Sequence, residues 1–264
     1  MTAALLQSLI FALVLSSLVG FFSFKVGFLT CSGAVAALFL GTAILGFGGW
    51  EAVVPFIAFF LSSSLLSKAR ALSHPHIEDA KTSRRDAAQV LANGGVAVLI
   101  LTAQVVSGSD LYPSYLGAVA AANADTWSTE LGIQFGRNPR LLFSGRAVPP
   151  GTSGGVTSAG LIAALLGAIL IAGAGYWSTT NITKPGVWAV VIAGFAGSIC
   201  DSFLGALWQR RNLCSVCGKT TEDAVHCGRK SAYAEGIRWL NNDAVNLSCT
   251  VCGAFIAGIL VYGF

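Results

Sequence analysis

Hydrophobic stretches without charge alternate with short polar connections along the chain. Lys, Arg, Asp and Glu are absent from 1–24, 26–50, 52–67, 87–109, 147–183 and 244–264. A helix of about 20 apolar residues crosses the hydrocarbon core of a bilayer, and several of these stretches reach that length. None of them shows the alternating pattern of a membrane barrel strand. Because a spanning segment must satisfy its backbone hydrogen bonds internally, the pattern predicts an all-α, polytopic transmembrane helix bundle.

One transmembrane domain of seven to eight helices is expected over residues 1–264. The predicted spans lie near 3–23, 26–47, 50–67, 87–107, 111–125, 155–175, 186–207 and 243–263. The first span lacks a basic segment and a clear cleavage site, so we interpret it as a helix rather than a signal peptide. Residues 1–67 are expected to be packing helices, whereas residues 68–264 carry the polar clusters and therefore the function.

Composition and charge refine this prediction. The chain is 54% hydrophobic and 11% charged, whereas soluble domains carry about 25% charged residues. Every Lys and Arg except Lys184 falls on one side of the eight-span arrangement. Cytoplasmic loops collect these residues, so we expect this side to face the cytoplasm and both termini to face away from it. The net charge of +4 follows first from this topology, and no nucleic-acid partner is expected.

Acidic residues recur in the polar clusters on the predicted cytoplasmic side. Asp125 and Glu130 lie in a run rich in hydroxyl side chains, and Asp243 begins the last span. Asp201 precedes Arg210 by nine residues, which places it roughly 13 Å along a helix from that charge. An acid at such depth costs about 2.5–3.5 kcal/mol, so a metal, a cation or a proton should compensate it. Carboxylates beside hydroxyls suit Mg²⁺, although caps and buried ion pairs are alternatives.

Two further clusters are candidates for phosphate binding. A glycine-rich turn at 148–157 precedes a helix, where backbone N–H groups and the helix dipole favour an anion. It lacks the GK[ST] of a Walker motif, and a Pro-Gly turn with a capping Ser or Thr explains it equally well. Five cations lie between Lys68 and Arg85, with Gln89 and Asn93 following at helical spacing. They suit a phosphate, but a positively charged cytoplasmic loop is the competing explanation.

The seven cysteines do not suggest a disulfide framework, because their number is odd and three lie in one cytoplasmic loop. Cys214, Cys217, His226 and Cys227 have a spacing that a small zinc knuckle could use. Their irregular spacing favours the alternative of reduced thiols without metal. No Ser-His-Asp, HExxH or GxSxG arrangement is present, so the separated acids, glycine-rich turn and clustered cations favour phosphoryl or nucleotidyl transfer.

Five motifs extend this argument from about residue 60 to the C-terminus. They are Asn123-Ala-Asp-Thr-Trp with Glu130-Leu-Gly, Pro150-Gly-Thr-Ser-Gly-Gly-Val, Gly197-Ser-x2-Asp201-Ser, Cys214-x2-Cys217 with His226-Cys-Gly, and Asn242-Asp-x-Val-Asn. In this order they resemble the phytyl-phosphate (prenyl-phosphate) kinase family of integral membrane proteins. That family is distantly similar to CTP-dependent phytol and dolichol kinases and to CDP-diacylglycerol synthases.

The resemblance implies a kinase that converts an isoprenoid monophosphate, such as phytyl or geranylgeranyl phosphate, to the diphosphate. It implies a nucleoside triphosphate donor, with CTP favoured, and Mg²⁺ as cofactor. In phototrophs, the phytyl diphosphate product feeds tocopherol synthesis. The protein would lie in the inner or plasma membrane, or in the thylakoid of a phototroph. The prenyl chain length, the nucleotide base and a homodimer are left open.

The same hypothesis assigns roles to residues of this sequence. Mg²⁺ and triphosphate are assigned to Asp125, Asp201 and Asp243, with Glu130 in support. Nucleotide or phosphate binding is assigned to Gly151, Thr152, Ser153, Gly154, Gly155, Asn123, Ser198, Asn242 and Asn246. The acceptor phosphate is assigned to Lys68, Lys81, Arg84 and Arg85. The alternatives are a prenol kinase or nucleotidyl transferase, a transporter or flippase, and a non-catalytic membrane subunit.

Overall fold

The computed structural model describes residues 3–73, 84–179 and 182–263. Within these residues the helices are α1 (Ala3–Val26), α2 (Cys31–Ser73), α3 (Ala87–Ser107), α4 (Tyr112–Phe135), α5 (Ser158–Ser178), α6 (Lys184–Leu207) and α7 (Asn242–Tyr262). All except α4 are long and apolar enough to cross a membrane. Large apolar side chains such as Phe22, Phe39 and Phe255 are exposed on the outside of the bundle, where lipid would cover them. The predicted all-α membrane bundle is confirmed.

Helix α2 consists of two antiparallel arms, 31–48 and 50–73. At 43 residues a straight helix would be roughly 64 Å long, about twice the bilayer core. Gly49 interrupts it with φ 59° and ψ −162°, a conformation that glycine adopts without steric cost. Lys68 Nζ then lies 3.3 Å from Val26 O, and the rings of Phe28 and Phe60 are 6.2 Å apart. The second arm therefore returns to the start of the first, as the separate predicted spans 26–47 and 50–67 require.

Helix α4 occupies the centre of the bundle and packs against α2, α3, α5, α6 and α7. Tyr115, Leu116 and Val119 are fully buried. The predicted fifth span, 111–125, is too short, because the helix continues to Phe135. Its polar second half is mostly half-buried and lies at the polar end of the bundle, so polar residues can stand there in place of apolar ones.

Small residues allow the helices around α4 to approach closely. A Cβ added to Gly117 would lie 2.4 Å from Gly253 O, so α4 and α7 cross backbone to backbone. A Cβ added to Gly197 would lie 2.5 Å from Ala121 Cβ, which fixes the spacing of α4 and α6. Such small-residue contacts are the usual means of close helix packing in membranes.

The polar connections gather at one end of the bundle, here called the loop end. Hydrogen bonds join the end of α1 to the start of α3 (Arg85 N to Phe28 O, 2.9 Å) and the end of α6 to the start of α7 (Arg210 N to Leu240 O, 2.8 Å). The loop end also carries β1 (Arg140–Leu141), β2 (Gly155–Val156), β3 (Arg211–Leu213), β4 (Thr220–Thr221), β5 (Val225–His226), β6 (Arg229–Lys230) and β7 (Ala232–Glu235). Strand β1 pairs with β2, β3 lies between β4 and β7, and β5 pairs with β6, all antiparallel.

Side-chain caps begin the helices that enter the bilayer from this end. Asp86 forms a capping box with Gln89 at α3, Thr157 accepts from Gly160 N at α5, and Asn241 accepts from Ala244 N at α7. Helix α5 starts later than the predicted residue 155, because Gly155 and Val156 pair with β1 before the cap.

Candidate active site

A cavity of about 960 Å³ opens at the loop end. Helices α4, α6 and α7 supply one side, the end of α2 and the start of α3 another, and the polar connections 136–157 and 211–235 cover it. The predicted site residues that line it are Arg85, Asp125, Glu130, Gly151, Thr152, Ser153, Gly154, Gly155, Asp201, His226, Asn242 and Asn246. Residues more than 100 positions apart in the sequence therefore share one chamber.

Asp125 and Asp201 face each other across the α4–α6 contact. Helices α4 and α6 both run towards the loop end, and Gly197 touches Ala121. One turn beyond that contact, Asp201 follows Gly197 and Asp125 follows Ala121, so their carboxyl groups hydrogen-bond to each other. Two carboxyls so close cannot both be ionised unless a cation joins them. Oxygen donors of this kind, with hydroxyl groups close by, fit Mg²⁺.

Helix α7 adds two amides to this chamber. Cys249 Sγ lies 3.6 Å from Ala121 O, which places α7 beside the same level of α4. Asn242 and Asn246 are one turn apart and both line the cavity. Asp243, one residue along from Asn242, is rotated by about 100° on the helix and is not among the described lining residues. The lining of α7 is thus formed by amide groups, and the role of Asp243 in the metal site stays a prediction.

Glu130 forms an ion pair in the wall of the cavity. Arg70, near the end of α2, forms a buried ion pair with Glu130, and Ser67 Oγ donates to Glu130 Oε1 at 2.6 Å. Both charged side chains are less than a tenth exposed. A buried carboxylate matched by a guanidinium and a hydroxyl is stably neutralised. Glu130 therefore ties α2 to α4 in the wall of the cavity, and its support of Mg²⁺ stays a prediction.

Among the described residues, Arg85 is the predicted acceptor-binding cation that reaches the cavity. Its guanidinium lies 5.5 Å from the centroid of Phe59, and Gln89 and Asn93 line the cavity beside it. Burial lowers the pKa of Arg85 to about 10, against the opposing charge of Glu130, so the side chain remains charged at neutral pH. It can therefore bind an anion with little competition from water.

The other predicted cations lie outside the chamber or outside the described residues. Lys68 contacts Val26 O and the ring of Phe28, and Arg84 donates to Leu29 O at 3.0 Å. These contacts join α2 and the α3 entry to the end of α1. The acceptor-binding role of Lys68 and Arg84 is not supported by this placement. Lys81 lies outside the described residues.

The glycine-rich turn lines the cavity and is held by its own hydrogen bonds. Thr152 N donates to Pro149 O and Gly155 N to Thr152 O, while Ser153 Oγ donates to Gln209 Oε1 at 2.6 Å. A Cβ on Gly154, where φ is +76°, would lie 2.3 Å from Ala206 N, so only glycine fits against α6 there. These contacts hold the turn in place. The backbone N–H groups of Thr152 and Gly155 donate within the turn, so they do not point to a bound phosphate.

Two predicted nucleotide-binding residues are structural. Asn123 is fully buried; its Nδ2 donates to Gly167 O at 2.8 Å and its Oδ1 accepts from Ser62 Oγ. It therefore joins α2, α4 and α5. Ser198 is buried within the bundle and is not among the described residues that line the cavity.

The residues that line the cavity without having been assigned a role include Ser67, Arg70, Arg146 and Lys219. Ser63, Ser67 and Arg70 are spaced by four and three residues, which is one face of a helix. This polar face in an otherwise apolar stretch is the feature of the sequence that could have indicated that α2 lines the cavity.

The cysteine cluster lies on the connection that covers the cavity. The ligand atoms of Cys214, Cys217, His226 and Cys227 all lie within 4.8 Å of one another. Hydrogen bonds from the backbone of Cys217, and from His226, lower the pKa of the Cys214 thiol to about 6. His226 belongs both to this cluster and to the cavity lining.

Comparison with known proteins identifies the family. The model of the integral membrane protein family DUF92 matches residues 14–254. The chain belongs to the DUF92 family. It is 33% identical to Protein PGR of Arabidopsis thaliana over 95% of both chains, and 30% identical to an uncharacterized membrane protein of Methanocaldococcus jannaschii over 87% of this chain and 84% of that protein. It is 25% identical to the chloroplastic Protein VTE6 of Arabidopsis thaliana over 87% of this chain and 64% of that protein.

No solved structure matches the DUF92 chain. The resemblance to the phytyl-phosphate kinase family, drawn from the five motifs, is confirmed at the level of the family.

Proposed function

We propose that this DUF92 protein is a membrane kinase that phosphorylates an isoprenoid monophosphate, such as phytyl or geranylgeranyl phosphate, to the diphosphate. A nucleoside triphosphate, CTP by the family resemblance, is the donor. The observation that carries the proposal is the facing pair Asp125 and Asp201 in a large polar cavity that also holds Arg85. The family relationship supports the choice of substrate class.

The two carboxylates suit a magnesium-bound triphosphate. Asp125 and Asp201 would hold Mg²⁺, which neutralises the charge that develops on the transferred phosphoryl group and the leaving diphosphate. Hydroxyl groups of Ser128 and Ser202 also line the cavity and can donate to phosphate oxygens. Positioning and charge neutralisation supply most of the catalysis in phosphoryl transfer, so no buried nucleophile is required.

The acceptor explains why no general base is needed. The second pKa of a phosphate monoester is about 6, so the acceptor is already a dianion at pH 7. Its oxygen forms a bond to the γ-phosphorus, the bond from that phosphorus to the bridging oxygen breaks, and the nucleoside diphosphate leaves with the electron pair. Arg85, whose guanidinium lies 5.5 Å from the centroid of Phe59, would hold the acceptor phosphate near the donor.

The cavity is proposed to face the cytoplasm, where nucleotides are supplied. Among the described residues, the loop end carries every Lys and Arg except Lys184, and cytoplasmic loops collect such residues. The prenyl tail of the acceptor would remain in the bilayer, with its phosphate at the level of the cavity.

The test is an assay of the purified protein in detergent. Phytyl phosphate and geranylgeranyl phosphate are each supplied with CTP, ATP, GTP or UTP and Mg²⁺. We expect prenyl diphosphate and nucleoside diphosphate in equal amounts. Release of pyrophosphate would instead indicate a nucleotidyl transferase, and phosphorylation of the free prenol would indicate an alcohol kinase. Either result, or the absence of any nucleotide-dependent product, would refute the proposal.

Matched variants link the activity to the carboxylate pair. Asp125→Asn and Asp201→Asn should each reduce kcat by at least about 10³-fold, the scale of losing a main electrostatic contact in the transition state. Asp110→Asn is the control: this acid accepts from Tyr112 N at the opposite end of α4, and asparagine can keep that bond. Near-normal activity of Asp201→Asn would exclude the assignment.

A further inference from the structure

The connection between α6 and α7 presents four metal-binding side chains at one point. Cys214 and Cys217 lie on the turn after β3, His226 is the last residue of β5, and Cys227 lies on the turn between β5 and β6. Their ligand atoms are all within 4.8 Å of one another. His226 Nδ1 is 3.5 Å from Cys217 Sγ and 3.3 Å from Cys227 Sγ. The side chains converge although two separate turns supply them.

These separations suit a tetrahedral zinc ion. Zn–S bonds of about 2.3 Å and Zn–N bonds of about 2.0–2.1 Å place sulfur and nitrogen ligands roughly 3.5 Å apart. The two measured sulfur–nitrogen distances, 3.5 and 3.3 Å, lie close to that value. Three thiolates and an imidazole are a common ligand set of structural zinc sites.

The backbone of both turns is shaped for ligation. In the first turn, Val216 N lies 3.4 Å from Cys214 Sγ and Gly218 N donates to Cys214 O at 3.0 Å. In the second turn, Cys227 has φ +52° and Gly228 has φ +72°. A residue with a side chain seldom adopts a positive φ, and a metal bond would offset the free-energy cost of holding Cys227 in it.

We propose that Cys214, Cys217, His226 and Cys227 bind one structural Zn²⁺ that fastens the cover of the cavity. The strands next to the cluster contribute Thr220, Thr221 and Glu235 to the cavity lining. These strands are only two to four residues long, so their pairing alone stabilises them weakly. The metal closes the two turns on each other and thereby orders the cover. This site does not depend on the kinase proposal, because its ligands would hold zinc whatever the cavity binds.

The metal content of the full-length protein, purified in detergent without chelator, tests the site directly. Inductively coupled plasma mass spectrometry should find a single Zn²⁺ per chain. Cys214→Ser and Cys217→Ser should each lose most of that zinc. Cys31→Ser is the matched control, because Cys31 is an exposed free thiol at the start of α2 and is not a member of the cluster; this variant should keep the wild-type content.

A second measurement tests the zinc site even if the cysteine variants fail to fold. Co²⁺ exchanged into the wild-type protein should give the thiolate charge-transfer band and the intense visible absorption of a tetrahedral site. A protein without zinc, equal zinc in wild type and Cys214→Ser, or a weak octahedral cobalt spectrum would overturn the proposal. Mass spectrometric detection of a disulfide within the cluster would also overturn it.

Discussion

The distance between Asp125 and Asp201 is set by a glycine one turn away, and this can be tested without touching either acid. In Gly197→Ala the new Cβ would lie 2.5 Å from Ala121 Cβ and 3.0 Å from Cys249 O. Carbon atoms in contact are normally about 3.5–4.0 Å apart, so α6 must move away from α4 by roughly 1 Å. The two carboxyl groups, each one turn further along, would separate by a similar amount.

The magnitude follows from that displacement. A shift of about 1 Å in a catalytic constellation can cost about 10²-fold in rate, or roughly 2.7 kcal/mol in the barrier. Overpacking itself should cost about 1–3 kcal/mol of stability. We therefore expect kcat for phytyl phosphate and CTP to fall by about 10²-fold in Gly197→Ala, with a moderate decrease in Tm.

The assay measures kcat and KM well below the Tm of the variant, with Tm determined separately in the same detergent. Gly173→Ala is the matched control, since a Cβ there meets no atom within 4 Å. It should keep both activity and Tm. If Gly197→Ala remains folded and turns over within about two-fold of wild type, small-residue packing does not set the geometry of the site, and the argument from position 197 is wrong.

Three further predictions follow from the contacts around the cavity. Glu130→Ala should lower the free energy of unfolding by about 3–5 kcal/mol, because it leaves Arg70 charged and buried; thermal unfolding should show that Arg70→Leu combined with Glu130→Leu recovers much of this loss. Arg85→Met should raise the KM for the prenyl phosphate by at least about ten-fold, whereas Arg84→Gln should mainly lower Tm, because Arg84 contacts Leu29 O. Removal of divalent cations with EDTA should abolish turnover, and added Mg²⁺ should restore it; turnover in EDTA would contradict the role of the Asp125–Asp201 pair.

The membrane architecture was predictable from the chain because it depends on local properties. Hydropathy over some 20 residues and the placement of Lys and Arg are sufficient to place helices and their common end. The depth of Asp201 in α6, the two arms of α2 and the Ser or Thr cap before α5 also follow from short segments. The length of α4 could not be predicted from local sequence, because a helix that packs among other helices can carry polar residues that a lipid-facing helix cannot.

The partners of the polar side chains depended on which helices pack together. Asp125 and Glu130 are acids in the same polar run of α4, and the sequence does not distinguish their partners. In the structure Glu130 meets Arg70 from α2, whereas Asp125 meets Asp201 from α6. The glycine contacts that bring α6 and α7 against α4 join residues 74 to 144 positions apart. Helical spacing shows which side chains share a face of one helix, but it carries no information about the helix opposite that face. That choice is made by close backbone packing, which only the folded bundle reveals.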